Sequence, residues 1–156
     1  MKIAVLDNIR SVYNVGSIFR TANAIGIEKV ILCGITPAPL DRKGRRRSDF
    51  AKVALGAEES VVWEYCETTA EALQKLKGED FYTIAIEQDG AAVDYKSVSV
   101  EGKKNIAFVI GAEVDGMGKE SLALCDTIVE IPMLGSKESL NVTIAFGIAV
   151  YRILGI

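Results

Sequence analysis

The chain has 156 residues, 49% of them hydrophobic and 25% charged, with a net charge of −3 and no histidine. That length suits one domain with a sizeable core, and the missing histidine excludes a Ser–His or Cys–His triad and the usual imidazole general base. No apolar run reaches the length of a membrane span, and the opening MKIAVLDN has too short an apolar core for a signal peptide, so the expectation is a cytoplasmic protein with no membrane partner.

Along the chain, Lys2 to Leu6 reads as a short buried strand, followed by the polar loop DNIRSVY. Asn14 is expected to cap a helix whose apolar positions Val15, Ile18, Phe19, Ala22 and Ile25 follow the 3.6-residue period up to Gly26. Lys29 to Cys33 reads as a second strand, and the β–α–β order predicts a parallel pair with a right-handed crossover. Gly34 to Arg47 is a long loop, and such loops inside compact domains are usually functional or mobile. A short helix over 48–55 and a third strand over 61–66 come next. Thr68 with Glu71 forms a capping box that opens a helix to about Lys77. A fourth strand is expected over 82–87, with a turn at Asp89-Gly90, and a fifth over 105–110, where IAFVI has the apolar run of a strand covered on both faces. A short helix over 119–124, a sixth strand over 127–133 and a last helix from Asn141 to Leu154 complete the chain. Strands and helices alternate throughout, which predicts an α/β fold with one mostly parallel sheet and helices on both faces. Residues 1–156 read as a single domain.

The three cysteines, Cys33, Cys66 and Cys125, are far apart and form no C-x-x-C pair, so they read as small buried hydrophobes rather than a disulfide or metal framework. No metal is expected. Charge is unevenly spread: Arg42, Lys43, Arg45, Arg46 and Arg47 place five positive charges within six residues, and removing them from −3 leaves −8. A concentrated basic loop on an acidic body reads as a local anion site or as a solvated charged loop.

Three clusters could carry chemistry. In NVGSIFR, Gly16 sits in the first turn of a helix, an unfavourable choice unless something approaches closely. Arg20, six residues after Asn14, is either a bidentate phosphate clamp or a surface arginine in an ion pair. In GAEVDGMG, glycines directly after an apolar strand either leave backbone amides open to a ligand or make a tight turn, and Glu113 is the acid placed inside it. In IPMLGSKESLNVTIAFGIAVY, a strand ends before Pro132, passes through a polar loop and becomes an apolar helix, with Ser139 and Asn141 at its mouth. Without histidine, Ser139 is a poor candidate for an activated nucleophile.

Taken together, NIRSVYNVGSIFRTANAIGIEKVILCG, FVIGAEVDGMG and IPMLGSKESLNVTIAFGIAVY occur in the order, and over nearly the whole length, in which the SpoU-type (TrmH-like) RNA 2′-O-ribose methyltransferases of the SPOUT class carry their motifs. The chain resembles that family. The resemblance implies a C-terminal deep trefoil knot and S-adenosylmethionine bound within it, mostly through backbone groups at Ile86, Glu87, Gly111, Ile131, Met133, Ser139 and Leu140. It implies a homodimer in which each active site is completed by both subunits. By motif position the catalytic residues would be Arg20, Asn14, Glu113, Ser139 and Asn141, and none of these positions departs from the family's pattern.

The implied partner is RNA, either tRNA or rRNA, and the implied reaction is methyl transfer to a ribose 2′-hydroxyl. The basic residues Arg42, Lys43, Arg45, Arg46 and Arg47 would then contact RNA phosphates. Many relatives carry an additional N-terminal RNA-binding domain, and this chain is expected to lack one. Two other readings stand beside this one: a non-catalytic RNA-binding or assembly factor on the same fold, and a doubly wound nucleotide-binding enzyme. The second of these calls for a glycine loop after the first strand, where Leu6-Asp7-Asn8 offers none.

Overall fold

The elements are β1 (Lys2–Asp7), α1 (Val12–Ala24), β2 (Lys29–Cys33), α2 (Ser48–Ala54), α3 (Ala57–Ser60), β3 (Val62–Cys66), α4 (Thr69–Gly78), β4 (Tyr82–Ile86), β5 (Val93–Asp94), a 3-10 turn (Tyr95–Ser97), β6 (Ile106–Ile110), α5 (Lys119–Leu124), β7 (Thr127–Glu130) and α6 (Val142–Leu154). They come from a computed structural model that describes residues 1–156. The seven strands form one sheet in the order β3-β2-β1-β6-β4-β7-β5, and every neighbouring pair is parallel.

Side chains on a strand alternate between faces, and β1 shows what that does in the middle of this sheet. Ala4 and Leu6 join the core on one face, while Ile3 and Val5 join the core on the other. The first face is covered by α1, α2, α3 and α6, through Phe19, Phe50, Ala57 and Phe146 among others. The second is covered by α4 and α5, through Leu73, Leu76 and Leu122. Each fully buried large apolar side chain contributes roughly 1.5–3 kcal/mol relative to exposure. A sheet buried on both faces therefore explains the near-continuous apolar runs of β1, β2, β4 and β6.

Several boundaries differ from the sequence reading. The cap of α1 is Ser11, not Asn14: its Oγ accepts the Asn14 backbone N–H at 3.3 Å. The helix thus starts one turn earlier, and the Asn14 side chain is free for other work. The last strand stops at Glu130 rather than Met133. Its neighbours supply partners only as far as Ile86 on β4 and Asp94 on β5, so no ladder remains to hold the chain extended. The two-residue β5 and the single-turn α3 are too short for any periodicity to announce them. Thr68 and Asn141 cap their helices as expected, accepting from the Glu71 and Thr143 amides.

Gly16 does answer a close approach, but by protein. A Cβ there would lie 3.1 Å from the Phe50 carbonyl oxygen and 3.3 Å from Val53 Cβ on α2. The Phe19 and Phe50 rings meet edge-on beside it, with centroids 5.1 Å apart. Gly16→Ala is therefore expected to destabilise the protein by about 1 kcal/mol, since overpacking of roughly 1–3 kcal/mol exceeds the helix-propensity gain of just under about 1 kcal/mol. Urea unfolding of the variant against the parent measures this.

Candidate active site

A cleft of about 580 Å³, counting its open mouth, lies at the carboxyl ends of β4, β6 and β7. These strands are not sequential neighbours: β6 and β7 both flank β4, and ligands in open α/β sheets favour such crossover points. Ile86 and Glu87 reach the cleft from the end of β4, Gly111 and Glu113 from the loop after β6, and Ile131, Met133, Ser139 and Leu140 from the segment leading into α6. Gln88, Ile110, Ala112, Val129, Glu130, Val142 and Ala145 complete the lining. The sequence reading had not singled these out, because finding them requires knowing which strand ends lie side by side. The apolar members form a wall, while Glu87, Gln88, Glu113, Glu130 and Ser139 supply polar groups.

The glycine loop is held from below by Glu87. One carboxylate oxygen accepts the Met117 N–H at 2.9 Å and the other accepts the Gln88 N–H, also at 2.9 Å. Gly116 has φ +64°, and a Cβ there would sit 2.7 Å from that carboxylate. A Cβ on Gly111 would lie 2.6 Å from Met117 Cγ and 2.7 Å from the Gly116 carbonyl carbon. Gly111 is thus required by the loop folding back on itself, and Gly116 by its positive φ and the Glu87 carboxylate beside it.

At one edge of the cleft, Asn14 joins two of the other candidates. Its Nδ2 donates to Glu113 Oε1 at 2.5 Å, and its Oδ1 accepts from Asn141 Nδ2 at 3.4 Å. Asn141 Oδ1 meanwhile accepts from the Thr143 amide and hydroxyl. Asn14, Glu113, Ser139 and Asn141 are therefore gathered around the cleft from segments far apart in sequence.

Arg20 is not gathered with them. Six residues along a helix is about 9 Å of rise and about 240° of rotation, so Arg20 emerges on a different side of α1 from Asn14. It is exposed, forms no ion pair, and borders a second hollow between α1 and the α2–α3 corner. The basic loop also differs from its sequence reading. Arg45 pairs with Asp41, Arg46 with Glu58 and Glu59, and Arg47 with Asp49. Only Arg42 and Lys43 of the five carry no ion pair. The cluster is thus largely neutralised by acids that are near in space, two of which come from α3. The Arg45 backbone N–H and guanidinium hold the Asp41 carboxyl below its ordinary range, and Arg47 does the same for Asp49. Burial is the largest single influence on Glu58 and works against charging it, but the Arg46 hydrogen bonds and charge together with backbone N–H groups outweigh it and lower its pKa.

An α/β domain with an all-parallel sheet, a glycine-loop cleft and a polar Asn–Glu–Asn edge is the class these observations define. The profile of the SpoU rRNA Methylase family matches residues 1–151, and the chain belongs to that family. It is 37% identical over 154 residues to the 23S rRNA (guanosine-2′-O-)-methyltransferase RlmB of Ralstonia nicotianae, covering 96% of this chain and 57% of the relative. The chain spans a little under three-fifths of the length of such curated relatives. Among solved structures, the TrmH/SpoU tRNA modifying enzyme of A. aeolicus superposes with a TM-score of 0.82 at 25% identity, over 97% of this chain and 73% of that one. The AdoMet-bound rRNA methyltransferase of Sinorhizobium meliloti shares the fold, with a TM-score of 0.87 at 24% identity, over 97% and 55% of the respective chains.

The Arg46–Glu58 contact makes a pH-dependent prediction. A carboxyl whose pKa is lowered on folding contributes stability above its unfolded value, and that contribution is lost as the pH falls through the folded one. Arg46→Ala leaves the buried Glu58 carboxylate with only the Gly56 N–H. The variant is expected to melt at a lower temperature at pH 7, and the gap narrows as the pH falls through the acidic range in which Glu58 protonates. Thermal melts of both proteins from pH 3 to 7 measure it.

Proposed function

We propose that this chain is an S-adenosylmethionine-dependent RNA 2′-O-ribose methyltransferase that acts on tRNA or rRNA in the cytoplasm, as a homodimer. The observation that carries the reading is the cleft itself, where three motif-bearing segments converge at strand ends and Asn14 bonds to Glu113 on its rim.

The residues present fit the cofactor. A cradle with apolar walls, a glycine and several acids suits a molecule that combines an adenine ring, a ribose and a cationic sulfonium. Ile86, Glu87, Gly111, Ile131, Met133, Ser139 and Leu140 would hold it. When bound, it supplies an electrophilic methyl on a good leaving group. What remains for the protein is to place the ribose oxygen in line and stabilise the charge that develops there. Asn14, held between Glu113 and Asn141, fixes the rim against which the sugar would rest. A guanidinium is effectively always protonated, so Arg20 acts by binding phosphate and steadying the forming alkoxide, not as a base.

Arg20 would reach the cleft from the partner subunit. Supporting this, α6 exposes Ile144, Ile148 and Tyr151 at i, i+4 and i+7, with Leu140 one turn earlier. A contiguous apolar stripe of this kind on a helix that packs against α1 suits an interface between two copies. A C-terminal knot is part of the same reading. In its support, the chain leaves β7 outside β4, yet α6 lies back against β4 and β6, and the Gln88 side chain after β4 donates to the Glu138 carbonyl on the way. Within the basic loop, Arg42 and Lys43 are the cations left to meet RNA phosphates.

Two outcomes are expected. With tritium-labelled S-adenosylmethionine and RNA from cells lacking the gene, the parent protein labels 2′-O-methylnucleosides. Arg20→Lys, which keeps the charge but loses the fork, lowers the single-turnover rate by about 10²–10³ with cofactor affinity unchanged. No labelling by the parent would leave a non-catalytic RNA-binding factor as the reading. Second, replacing Arg42 and Lys43 with alanine lowers the slope of log affinity against log salt by about 1–2, as measured by filter binding.

A further inference from the structure

The second hollow has features that a merely structural crevice does not need. It is lined by Arg20, Asn23, Leu55, Gly56 and Ser60, with alanines between them. Asn23 follows Arg20 by three positions, so both project from the same side of α1. The Asn23 Nδ2 donates to Ser60 Oγ at 3.0 Å, and Ser60 Oγ in turn donates to the Ala57 carbonyl at 3.2 Å. That clip fixes which way the amide points. It occupies the amide's donor end, while no donor in the chain reaches Oδ1. The hollow therefore combines a free guanidinium with a fixed, unused hydrogen-bond acceptor.

Leu55 is the second, independent observation. It ends α2 in the left-handed region with φ 51°, and Gly56 follows at φ 91°. Glycine is the residue that takes the first of these positions without strain. Leucine there is strained, and its side chain is 65% exposed, so the fold gains little burial in return. Strain held at an exposed position is a pointer to function. Here it places an apolar surface beside a cation and an acceptor.

We propose that this hollow seats the base of the nucleotide being methylated, with Asn23 as a specificity-determining residue and Leu55 as the platform under the ring. The inference rests on the methyltransferase reading above. Arg20 meets the sugar–phosphate, and Asn23 Oδ1, one helical turn further on, accepts from an N–H on the base edge. That donor is an exocyclic amino group or a ring N–H, so the seat selects bases by where such a donor lies. A site built to accept such a hydrogen bond discriminates strongly against a base that cannot donate it.

The test uses the full chain, labelled S-adenosylmethionine and RNA from cells lacking the gene, with digestion and chromatography of the 2′-O-methylnucleosides. The parent is expected to label one nucleoside predominantly. Asn23→Leu lowers kcat/KM on that RNA by about tenfold or more and raises the share of the other 2′-O-methylnucleosides, with cofactor affinity and melting temperature unchanged. Ser60→Ala breaks the clip but keeps Asn23, and shifts the product ratio in the same direction by less. Leu55→Gly relieves the strain, so its melting temperature holds or rises while kcat/KM for RNA falls by about tenfold. If the parent methylates RNA and Asn23→Leu matches it in rate and product ratio, the base-seat proposal falls alone. Loss of the dimer in Leu55→Gly overturns it too, since that would make Leu55 a subunit contact. If the parent labels no RNA at all, the functional reading falls and takes this one with it.

Discussion

The carboxamide of Asn14 is where three distant parts of the chain meet. It donates to Glu113 on the loop after β6 and accepts from Asn141 at the start of α6, while its own backbone N–H is satisfied by Ser11. Each side depends on the others. Were Asn14 the helix cap, its side-chain oxygen would be turned inward to its own backbone, and Glu113 and Asn141 would lose their common neighbour. With serine taking the capping role, the first helix can be packed by its apolar face and still present a polar group to the cleft.

That arrangement is possible because of what lies beneath it. Parallel strands all end at the same side of the sheet, so the loops after β4, β6 and β7 rise together. Glu87 then turns two of these loops into one unit by binding the Met117 amide. The rim is thus supported by a sheet buried on both faces. Buried polar groups elsewhere are similarly paired: Asp7 accepts from the Thr69 hydroxyl and the Asn8 amide, and Thr36 bridges the ends of β1 and β2. The thiols of Cys33 and Cys125 are pushed up to about 12 by burial, which keeps them inert at neutral pH.

The alternation of apolar strands and amphipathic helices was legible because its causes are local: short apolar runs such as IAFVI, period-3.6 patterning, and the Thr68 and Asn141 caps. Residues that converge only through the order of strands were not. Ile110, Val129 and Val142 look like ordinary core positions until β6, β4 and β7 are seen side by side. Gly16 carried a correct signal of close approach, but a sequence does not say whether the visitor is a ligand or, as here, the backbone of α2. The basic loop misled for the same reason. Its neutralising partners Glu58 and Glu59 lie a dozen residues onward, and only the α2–α3 corner brings them back onto Arg46. Arg20 and Asn14 look adjacent in the motif, yet helix phase points them to different sides.

The central position of β1 also has a consequence for how the protein is made. The first strand pairs on one side with β2, which follows soon after, but on the other with β6, more than a hundred residues later. Even the terminal amine finds its partner at the Lys104 carbonyl. At roughly 5–20 residues per second of synthesis, the leading strand waits on the order of 5–20 s with one edge bare. During that interval an apolar ribbon with open backbone groups is offered to any other nascent segment. The domain can close only when nearly all of it has emerged from the ribosome, so its assembly is governed by sequence-distant pairing rather than by the quick local turns of its helices.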